Sequence, residues 1–310
     1  MIRLDDGFLR GSLPPLVTPF RDGAVDYTAY ESLVEHHVRS GSSGVVVAGT
    51  TGEPALLSVA ERRSLLEAAV SAADGRITVI AATGAPSHAD TVELTEHAAA
   101  AGADAVLVVT PAFTRPPRRG LLDFFADVAA RVELPFLVYH IPGRAAVSID
   151  AAFCEELAER SDRFCGVKHA STDLGFVTDV LVRLGPEFRV LVGLEELSFP
   201  MLALGAAGTV NAVANVDPVR VAALSGAVDA GDLAGARRLH YELAELNRAV
   251  FFEMNPICVK YMCRRVGVLE RNEHRLPLVP ASPELEARLD GVLARAGLIS
   301  DEEEAALART

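Results

Sequence analysis

A chain of 310 residues, half of them hydrophobic and with a mean hydropathy of +0.26, can bury a sizeable core as one large domain or two smaller ones. Its formal net charge of −13 argues against nucleic acid or an anionic membrane surface as partner, and leaves an anionic small molecule to be held only by local positive charge. No apolar run approaches the ~18 residues of a membrane span, the first six residues hold no apolar signal segment, and the cytoplasm is the expected location. Cys154, Cys165, Cys258 and Cys263 form neither a CxxC pair nor a Cys/His cluster of zinc spacing, so reduced, mostly buried thiols are expected. No metal and no cofactor is expected.

Short apolar, β-branched runs recur along the chain, each followed by a helical pattern. The expected strands are residues 12–17, 44–48, 77–81, 105–109, 135–140, 165–169, 189–192 and 209–213. They are continuous apolar runs rather than alternating ones, as parallel strands covered on both faces should be. Asp26 caps the first expected helix, which stops before Gly41. Ser58-Val59-Ala60-Glu61 is a capping box for the second, and Ser87 with Asp90 opens the third. Eight such units predict an α/β chain folded as a (β/α)8 barrel. No GxGxxG follows the first strand and no GxxxxGK[ST] occurs, against a Rossmann or P-loop fold. Past residue 230 the strand pattern ends, and residues 233–251, 257–266 and 283–298 read as helices, with Asn255-Pro256 as cap and first-turn proline. Residues 1–230 are expected to form the barrel with the active site, and 231–310 a helical C-terminal extension whose charged end, from Asp301, has no evident role.

Site residues in a barrel come from the C-terminal ends of the strands and the loops that follow. Lys168 lies in the apolar stretch 164–170, and Lys260 is the only other lysine beside a large excess of arginine. A lysine kept there points to chemistry closed to a guanidinium, because a desolvated amine can lose its proton and attack a carbonyl. The alternative is a lysine that snorkels to water. Lys260 falls in an expected helix and reads as packing or surface. Gly49-Thr50-Thr51-Gly52-Glu53 follows the second strand, either as an anion-binding nest approached closely by a ligand or as an ordinary tight turn. Tyr139 at the end of the fifth strand is a candidate for proton transfer and Arg144 for a carboxylate clamp; a buried tyrosine and a surface arginine are the alternatives. The basic loop from Arg115 to Arg119 either draws an anionic substrate inward or is simply solvated.

Gly49-Thr50-Thr51-Gly52-Glu53, Val109-Thr110-Pro111, Tyr139 with Pro142-Gly143-Arg144, and Gly166-Val167-Lys168 resemble, in order and spacing, the dihydrodipicolinate synthase/N-acetylneuraminate lyase family. The similarity runs from about Leu13 past Asn255-Pro256. It implies a (β/α)8 barrel, usually a homotetramer, doing class I aldolase chemistry on pyruvate or another 2-keto acid, with an aldehyde as possible second substrate; a dimer or tetramer is expected. It further implies Lys168 as the Schiff-base lysine and Tyr139 as the proton shuttle. Thr50 and Thr51 become the keto-acid carboxylate cradle, with the Thr51 hydroxyl also touching the relay. Arg144 meets the second substrate's carboxylate, and Gly193 and Val210 line the pocket by their backbones.

Departures from the synthase pattern accompany these matches. Phe113 replaces a tyrosine that in the synthases reaches a neighbouring subunit's relay, and Tyr139-His140 and Lys168-His169 replace Tyr-Asn and Lys-Glu. Gly193-Leu194-Glu195-Glu196 stands for Gly-Asp-Asp, and Gly84-Ala85-Pro86-Ser87-His88 stands at the lysine-feedback site. His140 or His169 can supply a substitute acid–base group. The second substrate stays open between a lysine-pathway synthase and a catabolic aldolase or dehydratase. A barrel that only binds a keto acid is the alternative from another class, and a class II aldolase is disfavoured because the strand ends lack a His/Asp/Glu ligand set.

Overall fold

Each expected strand–helix unit is present. The computed structural model describes residues 4–300, so the charged end from Asp301 lies outside the described residues. The barrel strands are β1 (Gly11–Ser12), β2 (Gly44–Val47), β3 (Thr78–Ala82), β4 (Ala105–Val109), β5 (Phe136–His140), β6 (Phe164–His169), β7 (Arg189–Val192) and β8 (Gly208–Thr209). All pair in parallel and in sequential order. β1 joins β8 through Gly11 and Gly208, and a bridge from Pro15 to Val46 brings the chain beyond β1 back to β2. The result is a (β/α)8 barrel, with helices α1 (Tyr27–Arg39), α2 (Val59–Ala73), α3 (His88–Ala100), α4 (Arg118–Ala129), α5 (Ala151–Arg160), α6 (Leu174–Leu184), α7 (Ser198–Ala203) and α8 (Pro218–Asp229) between and after the strands.

The helix starts follow their caps. Asp26 accepts from Ala29 N–H at 3.0 Å, Ser58 and Glu61 form the reciprocal box, and Ser87 accepts from Asp90 N–H at 3.3 Å. Two strands are shorter than expected by more than one residue. Residues 12–17 contain Pro14 and Pro15, which have no N–H for a ladder, so β1 stops at Ser12. Residues 209–213 give way to a 3₁₀ turn at Ala212–Asn215 because side chains take over the backbone groups: Ala212 N–H donates to Glu195 Oε1 at 2.6 Å, and Asn215 Nδ2 donates to the Pro15 and Ala212 carbonyls, each at 2.9 Å. A hairpin of Phe20–Arg21 with Ala24–Val25 was not legible in the pattern, since two-residue strands show no period.

Alternation along the strands sorts side chains between two cores. Leu13, Val46, Ile80, Leu107, Leu137 and Leu191 fill the barrel interior. Val45, Val47, Val79, Val106, Val108, Phe136, Val138, Val190 and Val192 face the helix layer. β6 departs from strict alternation, and the departure places the chemistry. Phe136 pairs with Phe164 but Leu137 pairs with Gly166, so one extra residue, a β-bulge, sits in β6. Without it Lys168 would share the outward parity of His140; with it, Lys168 is the register partner of inward-facing Tyr139. Gly166 is required there, because a Cβ would lie 2.4 Å from the Arg189 carbonyl oxygen.

Beyond the barrel come α9 (Leu233–Ala249), α10 (Ile257–Arg265) and α11 (Pro283–Arg295), ending two, one and three residues before their expected limits. Asp290 ties α10 to α11 by accepting from Tyr261 Oη at 3.0 Å and Arg265 Nε at 2.7 Å. The four cysteines are buried free thiols. No helix among the described residues is long and apolar enough to cross a membrane.

Candidate active site

The C-terminal ends of the strands open into a cavity of about 250 Å³, and the sequence candidates converge on it: Thr50, Thr51, Tyr139, Arg144, Lys168, Gly193 and Val210 all line it. Lys168 is 3 % exposed, and its Nζ lies 4.1 Å from the centroid of the Tyr139 ring. Among the described residues, no carboxylate is within ion-pair distance of Lys168 and Tyr139 makes no side-chain hydrogen bond. Gly193 gives the lysine its room: a Cβ there would stand 3.0 Å from Lys168 Cε and 2.9 Å from Ala170 Cβ. Val210 is buried, with its N–H on the Val192 carbonyl at 2.7 Å.

The rival amine has another fate. Lys260 is fully buried with its Nζ 2.9 Å from Glu53 Oε1, so of the two readings offered for it packing holds and surface does not. Burial lowers the Lys260 pKa and raises that of Glu53, each opposed by the partner's charge.

Glu53 closes the turn after β2. Gly52 and Glu53 N–H groups bond back to Gly49 and Thr50, leaving those of Thr50 and Thr51 unused by the turn. Gly52 answers packing rather than ligand approach, since a Cβ would meet the Leu16 carbonyl at 3.0 Å. Thr51 is buried and its Oγ1 accepts from Asn255 Nδ2 at 3.0 Å. Asn255 therefore does not cap α10, which has no side-chain cap; its amide is engaged across the barrel mouth instead. Arg144, on a one-turn helix at Pro142–Ala145, is exposed and makes no ion pair among the described residues, nor do Arg115 and Arg119, whereas Arg118 pairs with Asp150 and Glu156.

Two expectations about the departures need correction or refinement. His140 and His169 are buried one step past Tyr139 and Lys168 and thus on the outer face, where His169 stacks on Phe176 of α6 at 4.2 Å. They do not line the cavity and supply no acid–base group there. Their network sets the tautomers: His169 Nε2–H donates to the Asp173 carbonyl at 3.0 Å, so its Nδ1 accepts from His140 Nδ1–H at 3.1 Å. His140 Nε2 then accepts from Ser148 Oγ at 3.2 Å and Ile149 N–H at 3.4 Å. Burial, reinforced by the neighbouring His169, pulls His140 down to about 4. Phe113 is 94 % exposed with φ +68° and does not line the cavity.

Glu195 and Asn255 are wall residues that sequence reasoning did not assign. Glu195 is buried, with Oε1 on Ala212 N–H and Oε2 without a partner among the described residues; burial pushes its pKa up to about 7 against the pull of backbone donors and Lys168. Its only sequence signal was its place beside Gly193. Asn255 had none, since an Asn-Pro before a helix reads as a cap.

A (β/α)8 barrel with one unpaired lysine and a tyrosine inside its mouth is the architecture of a class I aldolase. The sequence matches the Dihydrodipicolinate synthetase family over residues 8–296, and the chain belongs to that family. A 4-hydroxy-tetrahydrodipicolinate synthase of Thermus thermophilus is 44% identical over 298 residues, covering 96% of this chain and 99% of that protein. Dihydrodipicolinate synthase from Aquifex aeolicus superposes with a TM-score of 0.91 at 41% identity, covering 93% of this chain and 98% of that one. The chloride-inhibited dihydrodipicolinate synthase of Acinetobacter baumannii, complexed with pyruvate, gives 0.90 at 34% identity, covering 94% and 100%. The protein is an enzyme, a lyase of the class I aldolase type.

Proposed function

We propose that Lys168 Nζ attacks the carbonyl carbon of pyruvate or another 2-keto acid, loses water and forms a protonated imine. That imine withdraws electrons, a proton leaves the adjacent carbon, and the enamine adds to the carbonyl carbon of an aldehyde, whose oxygen takes up a proton; water then releases the product. Run backwards, the same steps cleave a carbon–carbon bond. Tyr139 moves the protons. The Thr50 and Thr51 hydroxyls hold the keto-acid carboxylate, with Thr51 also placed to touch the proton relay. The backbones at Gly193 and Val210 shape the wall, and Arg144, with no carboxylate partner among the described residues, receives a carboxylate on the second substrate. The observation that carries this reading is the contrast between the two lysines: Lys260 is neutralised by Glu53, while Lys168 stands unpaired against Tyr139 in the cavity.

Borohydride reduction in the presence of pyruvate, followed by peptide mapping, tests it. The adduct is expected on the peptide carrying Lys168 and is expected to vanish in Lys168→Arg. An adduct on Lys260, or none with any 2-keto acid, refutes the reading and leaves a keto-acid-binding barrel.

Aspartate semialdehyde is the first aldehyde to try, because the similar proteins of Thermus thermophilus and Aquifex aeolicus are named as 4-hydroxy-tetrahydrodipicolinate synthases. Turnover of about 10 s⁻¹ or more, ordinary for an enzyme, supports that acceptor; weak turnover raised by Phe113→Tyr places the shortfall in a missing relay hydroxyl. The exposed Phe113 ring supports a homo-oligomer, dimer or tetramer, in which a second copy covers it. A cytoplasmic location completes the reading.

A further inference from the structure

Two side chains near the start of α10 reach into the turn after β2 from more than two hundred positions away. Asn255 Nδ2 donates to Thr51 Oγ1 at 3.0 Å across 204 positions, and Lys260 Nζ donates to Glu53 Oε1 at 2.9 Å across 207. Lys260 Nζ also sits 4.4 Å from the centre of the Phe20 ring, so it is held from two sides. Asn255 shares the cavity wall with Thr51 and Lys168. Its Oδ1 is buried with no hydrogen bond among the described residues. A buried unmet acceptor is unfavourable, and here it accompanies an amide whose N–H end is engaged on a single hydroxyl.

A threonine hydroxyl offers one donor and two acceptor positions. Asn255 fills an acceptor position of Thr51, and no protein group among the described residues takes the hydroxyl proton. That proton is free to point into the cavity. A chain running from amide N–H to hydroxyl to carboxylate has every link aligned, and each bond polarises the next.

We propose that Asn255 is a positioning residue for the keto-acid subsite: its amide holds the Thr51 oxygen so that the hydroxyl donates to the substrate carboxylate, while the Glu53–Lys260 pair anchors the turn that carries Thr51. The inference rests on the reading that Lys168 takes a 2-keto acid, and it deepens that reading. It makes the segment before α10 part of the substrate site, with the donor geometry set before substrate arrives.

The test measures borohydride trapping as a function of pyruvate concentration, which needs no second substrate. Asn255→Ala and Thr51→Val are each expected to raise the half-saturating pyruvate concentration about ten- to a hundredfold, the worth of one hydrogen bond to a charged group. Half-saturation is the readout, and in it the double variant is expected to be no worse than Thr51→Val alone. Additive effects in the double variant overturn the proposal, as does a loss of maximal trapping with half-saturation unchanged. Asn255→Asp guards against a folding defect in the alanine variant. It is nearly isosteric, but its carboxylate accepts the Thr51 proton and turns it away from substrate, so half-saturation is expected to rise at least as far; an Asp variant equal to the parent overturns the proposal. Absence of trapping in the unaltered enzyme refutes the keto-acid reading itself, whereas normal trapping that Asn255→Ala leaves unchanged refutes only the role of Asn255.

Discussion

Replacing Lys260 by methionine separates the two lysines energetically. The substitution keeps an unbranched side chain of similar length but removes the charge opposite Glu53, and both side chains are fully buried. At 2.9 Å and an effective dielectric of about 20, the attraction removed is about 6 kcal/mol before desolvation. Desolvation is the largest influence on both groups, lowering Lys260 and raising Glu53, so most of that attraction only offsets the loss of water. What remains in Lys260→Met is a buried carboxylate with Oε2 already unpartnered, a loss of about 3–5 kcal/mol. For a chain of this size that is a fall in melting temperature of about 5–8 °C. An unpaired buried Glu53 has a folded pKa above its unfolded value, so protonation favours the folded state and the deficit should shrink as pH falls. The double variant Glu53→Leu/Lys260→Met removes both charges and should regain most of the loss. Urea denaturation of the parent, both single variants and the double, at pH 5.5 and 7.5, reads each term. A single variant costing less than about 1 kcal/mol at neutral pH, or a double variant no better than the singles, refutes the reasoning.

Tyr139→Phe retains the ring that packs beside Lys168 and deletes the hydroxyl, so turnover should drop by about 10²–10⁴ with little change in melting temperature; near-normal steady-state rates would return Tyr139 to a packing role. Arg144→Ala should weaken use of a carboxylate-bearing aldehyde while leaving pyruvate trapping intact, and equal loss in both assays would move its clamp to the keto acid. His140 is held at about 4 by burial and the neighbouring His169, with Asp173 opposing, so its folded pKa lies below the usual ~6.5. The stability held by the neutral ring is therefore complete above about pH 6.5 and is lost as pH falls toward 4, by up to about 3 kcal/mol. Denaturation midpoints for the parent and His140→Phe across that window should converge at low pH, and parallel pH curves would count against the histidine.

The sequence by itself determined the barrel, because continuous apolar runs, capped helices and the order of the units are local properties that survive without tertiary context. It also marked Lys168, Tyr139, Thr50, Thr51, Arg144, Gly193 and Val210, since loops after strands share one end of any such barrel, and the cavity lined by all seven follows from that rule. Tertiary structure alone decided which way Lys168 faces. An extra residue in β6 shows only in the pairing with β5, and one step of register exchanges the interior of a barrel for its helix layer. By the same parity His140 and His169, adjacent in sequence to Tyr139 and Lys168, fall outside the site. Lys260 and Asn255 were hidden for a different reason: each has its partner more than two hundred positions away, and no periodicity or capping pattern encodes a contact of that separation.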